Sequence, residues 1–244
     1  MVRIYIGWDP RDAQAFDVAA HSIRKHASIP VEIIALKDWE LRAKGVYQRP
    51  YMVDEAGQMW DVRDESPFTT NFSYTRYCVP LLEEFGEEQV VFMDADMLVR
   101  GDIAELMQAA GTAAMACVKH DHRPREKTKV TNNIQRCYER KNWSSVMVMR
   151  PSRCDALTFY AVNNMSRSWL HKMCWIDDAL IEPLPHAWNW LCGWSTPDID
   201  PKIVHFTRGT PDITGVEGLA DYSNEPFADE WRAALAEARR AAAA

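Results

Sequence analysis

The chain is short of several things that would have named a function class at once. No stretch reaches the roughly 18–20 consecutive apolar residues of a membrane span, and nothing in it reads as a transmembrane helix. Ten scattered tryptophans leave only peripheral contact with a membrane open, beside their simpler use in core and pocket. The opening MVRIYIGWDPRD brings charge before any adequate apolar run, so it does not read as a signal peptide. Paired cysteines are also missing. The six thiols at 78, 117, 137, 154, 174 and 192 include no CxxC, which argues against a zinc ribbon and a disulfide scaffold. They are expected reduced and mostly buried, in a cytoplasmic protein. Cys117, His120 and His122 have no second pair to complete a zinc set. Basic charge is in deficit: 28 Lys and Arg face 35 Asp and Glu, for a net −7. That argues against a face for nucleic acid, without excluding a local basic pocket for phosphates.

What is present is a 244-residue chain of ordinary globular composition, enough for one α/β domain. Val2 to Trp8 and Val31 to Leu36 read as strands around a helix from Arg11 to His26, the opening of a parallel β-α-β unit. Residues 44–70 read as an irregular segment, a candidate loop over a site. A helix is expected over Tyr74–Phe85 and a buried strand over Gln89–Met93. Asp102 is placed to cap a helix from Ile103 to Ala110. Further strands are expected at Ala113–Val118, Ser145–Met149 and Ile203–Phe206. Helices are expected at Asp155–Arg167 and from Asp177, with a polar stretch over Lys119–Asn142.

The sharpest feature is Val90 to Arg100, VVFMDADMLVR. A continuous apolar run suits an inner parallel strand, and ligand sites of open α/β sheets lie beyond the carboxyl ends of such strands. Asp94 and Asp96 can converge there on one cation, where Mg²⁺ or Mn²⁺ suits oxygen ligands. Such a cation would bridge and neutralise a leaving diphosphate. The bland alternative is a solvated turn. Phosphatases with an aspartyl nucleophile share the D-x-D, but normally carry Thr or Val where Leu98 stands.

Phe72 to Leu106 resembles the central signature of glycosyltransferase family 8, of the GT-A fold. It carries Tyr-x-Arg, Pro-Leu-Leu, a strand, D-x-D and Gly-Asp-Ile-x-Glu-Leu in order. Gly7-Trp8-Asp9-Pro10-Arg11, Lys141-Asn142-Trp143-Ser144-Ser145, Trp175-Ile176-Asp177-Asp178, Leu184-Pro185 with Trp188-Asn189-Trp190, and His205 to Pro211 follow suit. This combination is similar to a divergent bacterial and phage branch of those transferases. The resemblance implies a Rossmann-like, mostly parallel mixed sheet flanked by helices, in a single domain over 1–244. Residues 1–100 would form the nucleotide-binding half and 101–212 the acceptor half, with a peripheral C-terminal helix in 225–244.

It also implies roles. His205 becomes the third metal ligand beside Asp94 and Asp96, and imidazole shifts the preference toward Mn²⁺ over Mg²⁺. Arg76 would meet the diphosphate, whose oxygens suit a guanidinium fork. Trp8, Asp9, Arg11 and Ala95 would meet the nucleotide. Arg208 or the backbone at Gly209 would stand in for the family's usual lysine. Asp177 and Asp178 replace an Asp-Gln pair as the sugar-contacting catalytic carboxylates, their alternative being helix capping. Lys119, Ser144, Asn189 and Trp190 would line the sugar and acceptor side. The implied reaction moves a hexose from a nucleoside diphosphate sugar, UDP-linked by expectation, to the hydroxyl of a carbohydrate or glycan precursor. Retention of configuration and front-face displacement are implied. Two alternatives remain: a non-catalytic sugar-nucleotide-binding relative, and a sugar nucleotidyltransferase. The latter wants a glycine-rich basic loop after the first strand, which Gly7-Trp8-Asp9-Pro10 is not.

Overall fold

A computed structural model describes residues 1–121, 139–214 and 221–243. Cys137 and His122 lie outside the described residues, as does most of the expected polar stretch. The strands are β1 (Val2–Gly7), β2 (Val31–Leu36), β3 (Tyr51–Val53), β4 (Met59–Asp61), β5 (Ser66–Pro67), β6 (Val90–Met93), β7 (Met97–Val99), β8 (Met115–Cys117), β9 (Val146–Met149), β10 (Ile181–Pro183), β11 (Trp190–Leu191) and β12 (Ile203–His205). The helices are α1 (Ala13–His26), α2 (Asp38–Ala43), α3 (Val79–Leu82), α4 (Ile103–Ala110), α5 (Phe159–Asn164), α6 (Arg167–His171) and α7 (Ala228–Ala243), with short 3₁₀ turns between them.

The central sheet runs β10-β8-β9-β6-β1-β2. Only β9 runs against its neighbours; the other pairings are parallel. Val90–Met93 and Val146–Met149 have no exposed residue, because inner strands of a sheet covered on both faces need apolar side chains on both. Gly7 closes β1 where a Cβ would stand 2.4 Å from the Phe72 ring, so only glycine fits that approach. Buried thiols behave as expected: burial pushes Cys117 and Cys154 up to about 12, and Cys174 alone of the described cysteines is exposed.

Several elements depart from the pattern-based expectation. Residues 44–70 are not irregular throughout: three short strands, β3, β4 and β5, form a small antiparallel sheet within them. Arg49, wholly buried, fastens it by pairing with Asp61 and Asp64 and donating to the carbonyl of Met165 at 2.8 Å. The expected helix at 74–85 splits into a 3₁₀ turn at Thr75–Cys78 and a short α3, ending in positive φ at Glu84 and Phe85. Proline at the second position of α3 needs no N–H there, which is why Pro80 is tolerated. The segment 155–167 supplies only α5 and the start of α6, each opened by a hydroxyl cap, Thr158 and Ser166.

The C-terminal helix α7 is not peripheral. It packs on α1, where Glu237 accepts from His21 and Lys25. Its Trp231 is fully buried in a second apolar cluster with Val18, Leu98, Trp190, Val204 and Phe206.

Candidate metal and donor site

The site begins where β6 ends. The Asp94 N–H still donates to the Ser145 carbonyl, 2.9 Å away, and a tight turn follows, closed by Met97 N–H to Ala95 C=O at 2.8 Å. The chain then leaves the large sheet, and β7 pairs antiparallel with β12. That switch of sheets brings His205 to Asp96: Met97 and His205 are register partners, and Phe206 N–H donates to the Asp96 carbonyl at 2.9 Å. His205 Nε2 stands 3.3 Å from Asp96 Oδ1. One ligand atom from each of Asp94, Asp96 and His205 lies within 4.8 Å of the other two. Two carboxylates and an imidazole at this spacing fit a divalent cation of the Mg²⁺ to Mn²⁺ kind.

Three expected residues stand next to this cluster but face protein. Arg76 is buried; its guanidinium pairs with Asp94 at 2.9 Å and donates to the Ser144 carbonyl at 2.8 Å. It lies over the rings of Phe92 and Phe72. Its guanidinium is therefore engaged by the Asp94 carboxylate and the Ser144 carbonyl. Ser144 is buried as its partner. Asn189 has no exposed surface with which to touch an acceptor. Its Oδ1 faces His205 Nδ1 at 2.9 Å, and its Nδ2 donates to Ser145 Oγ at 2.8 Å and to the Asn142 carbonyl at 3.1 Å. Trp190 is buried too, with Nε1–H on the Thr196 carbonyl and its ring edge-on to Phe227.

Asp9 follows β1 as expected, but its carboxylate is filled. It accepts from the backbone N–H groups of Arg11 and Asn71 and from both arms of the Arg11 guanidinium. Burial alone would push this carboxyl up; those hydrogen bonds outweigh it and hold it below the usual range. Trp8 is half-buried, edge-on to Trp39 at 4.9 Å, with Lys37 Nζ near both rings. Ala95 is buried within the turn. Lys119, after β8, lies over Trp143 at 5.7 Å. Arg208 pairs with Glu225 and fills the space above Gly193. Gly209 makes room for Tyr222, whose ring a Cβ there would meet at 2.6 Å.

Asp177 and Asp178 are not among the residues whose ligand atoms group with Asp94, Asp96 and His205. They precede β10, whose first residue pairs with Met115 at the sheet end opposite Asp94. Both are exposed; Asp177 caps the following 3₁₀ turn and Asp178 pairs with Arg140. Helix capping, the simpler alternative, is what Asp177 does.

Sequence reasoning missed Asp12. It stands at the N-cap position of α1 yet makes no capping bond. Burial, and then the carboxylates of Asp96, Asp212 and Asp9, push it up to about 8 against the pull of Arg11. Its proximity to Asp96 had no local signal, because an acid at a helix start reads as a cap.

No protein-family profile matches the chain. One curated relative does: Protein CDI of Arabidopsis thaliana is 36% identical over 237 residues, covering 94% of this chain and 84% of that protein. The chain belongs to the family of Protein CDI. Among solved structures it superposes on the bifunctional glycosyltransferase WbbM with a TM-score of 0.61 at 16% identity. The galactosyltransferase LgtC, in complex with donor and acceptor sugar analogs, gives 0.55 at 11% identity, covering 97% of this chain and 96% of that one. The glycosyltransferase GlyE of Streptococcus pneumoniae gives 0.52 at 12%. The chain spans 49% of the WbbM chain and 61% of the GlyE chain. At these identities the likeness is one of fold: the chain has the α/β fold of GT-A-type glycosyltransferases. Among the described residues no helix is long and apolar enough to cross a membrane.

Proposed function

We propose that this protein is a metal-dependent glycosyltransferase that moves a hexose from a nucleoside diphosphate sugar to an acceptor hydroxyl with retention.

 The donor is expected to be UDP-linked. The observation that carries this is the convergence of Asp94, Asp96 and His205 at the end of β6, on a fold shared with glycosyltransferases. A cation held by these three would supply the positive charge that offsets a diphosphate as it leaves. The chain's own residues do the rest. Arg76 and Ser144 hold the Asp94 carboxylate in place. Trp8, Trp39 and Lys37 follow β1 and β2 at the same end of the sheet, an aromatic and cationic rim suited to a nucleotide. A cavity of about 380 Å³ lined by His120, Asp121, His186, Leu191, Trp194 and Thr196 suits a carbohydrate acceptor, with an aromatic wall and polar edges. It adjoins the cluster, because Leu191 is the register partner of His205.

Thermal unfolding with UDP, with and without Mn²⁺, tests the donor site. A ligand at ~100 times its Kd adds about 2.7 kcal/mol of stability, or roughly 2–4 °C per kcal/mol for a chain of this size. The expected shift needs both UDP and Mn²⁺ and disappears in Asp96→Ala. No shift with any nucleoside diphosphate removes the transferase proposal. The protein-facing bonds of Asp177 and Asp178, one capping a turn and one paired with Arg140, favour one second reading, a non-catalytic sugar-nucleotide binder. Release of UDP from UDP-sugars with Mn²⁺ separates the two: an enzyme leaks some donor to water, whereas a binder shifts the melt and releases nothing.

A further inference from the structure

We propose that Asn189 is a positioning residue that fixes the tautomer of His205 and joins the two halves of the metal site into one buried network. The proposal rests on the reading of Asp94, Asp96 and His205 as cation ligands. Three observations carry it.

The amide can point only one way. Its Nδ2 lies 3.1 Å from the Asn142 carbonyl, which accepts and cannot donate. Turning the amide over would set two acceptor oxygens against each other. Oδ1 therefore faces His205, and the 2.9 Å contact with Nδ1 is a hydrogen bond only if Nδ1 carries the proton. In the neutral ring this leaves the lone pair on Nε2, the nitrogen that faces Asp96 Oδ1 at 3.3 Å. Two electron-rich atoms facing each other at that distance are a poor contact, which a cation between them would turn into coordination.

The same amide reaches the other ligand. Its Nδ2 donates to Ser145 Oγ, and the Ser145 carbonyl accepts from the Asp94 N–H. Ser145 Oγ in turn donates to the Asn142 carbonyl at 2.7 Å. Asn142 sits at φ +66°, in the left-handed region that Asn tolerates better than most residues. The Asn142 carbonyl thereby takes bonds from both Asn189 and Ser145.

Burial removes the competitors. Asn189 is 0% exposed and Ser145 2%, so water cannot substitute for either at the ring or the amide. A hydrogen bond to the far nitrogen of a metal-ligating imidazole sets its rotation and raises the basicity of the ligating nitrogen. Its loss costs about 10–100-fold in metal affinity.

The first test uses metal-free full chain labelled with ¹⁵N-histidine, at alkaline pH where imidazoles are neutral. A long-range ¹H–¹⁵N spectrum reports the tautomer of His205, assigned by loss of its signals in His205→Ala. The expected result is the Nδ1–H form in the wild type and its loss in Asn189→Leu. An Nε2–H ring in the wild type overturns the proposal, and needs no variant to fold. The second test is Mn²⁺ binding followed by electron paramagnetic resonance. Asn189→Leu should bind about 10–100-fold more weakly. Unchanged Mn²⁺ affinity in Asn189→Leu, with the His205 tautomer also unchanged, overturns the positioning role. If the wild type binds no Mn²⁺, the cation reading fails by itself, and the tautomer spectrum still decides whether Asn189 orients His205.

Discussion

Asp94 and Asp96 stand two residues apart in the same turn, but their surroundings differ, and so should their substitutions. Asp94 faces the buried guanidinium of Arg76, whereas the Asp96 side chain is 26% exposed. Removing one partner of a buried pair costs about 3–5 kcal/mol, because the other charge stays desolvated. Asp94→Ala should therefore lose stability in a urea titration as well as metal binding, and Asp96→Ala should lose chiefly metal binding. Asp12 adds a pH dependence. Its carboxyl is raised from 3.8 to about 8 in the fold, so the folded protein holds that proton more tightly than the unfolded chain. The stability this gives is full below pH 3.8 and is lost as pH rises through about 8. The metal-free midpoint should fall across that window, and Asp12→Asn should flatten the fall; an unchanged slope in the variant would contradict this account of Asp12.

The short strands β7, β11 and β12 do more to build the site than their length suggests. β7 carries the chain from the D-x-D turn into the small sheet, and β12 returns His205 beside it. The small sheet of β3, β4 and β5 depends on Arg49 in a different way. Its charge is buried between Asp61 and Asp64, with its guanidinium 4.2 Å from the Tyr74 ring centre. Arg49→Ala strands two carboxylates and should cost about 3–5 kcal/mol. Limited proteolysis should then cut preferentially within residues 44–70; cleavage elsewhere first would mean that Arg49 does not anchor this sheet.

Two apolar clusters hold the molecule together, one around the central sheet and one between α1, the small β11-β12-β7 sheet and α7. The second lies behind the strand that carries His205, since Val204 and Phe206 belong to it. Trp231 is one of its two tryptophans and has no exposed surface. Trp231→Ala should cost about 3–5 kcal/mol, read as a lowered urea midpoint. Mn²⁺ affinity should weaken as well if α7 backs the site through β12. A stability loss with unchanged Mn²⁺ affinity would limit α7 to a structural role.

The sequence by itself determined the parts whose physics is local. The apolar run at 90–93, the β-α-β opening and the Asp102 cap follow from periodicity and capping, and the structure has each of them. The D-x-D was legible because two acids after a buried run are costly without a partner. Local pattern could not say which polar residues face the site and which hold it up. Asp9, Arg76, Ser144 and Asn189 read as ligand contacts, yet each is buried and bonded to protein. Their partners lie up to 68 residues away along the chain. Only the tertiary structure decided that division, because a polar side chain's hydrogen bonds depend on what the fold packs against it, and neither its type nor its spacing records that.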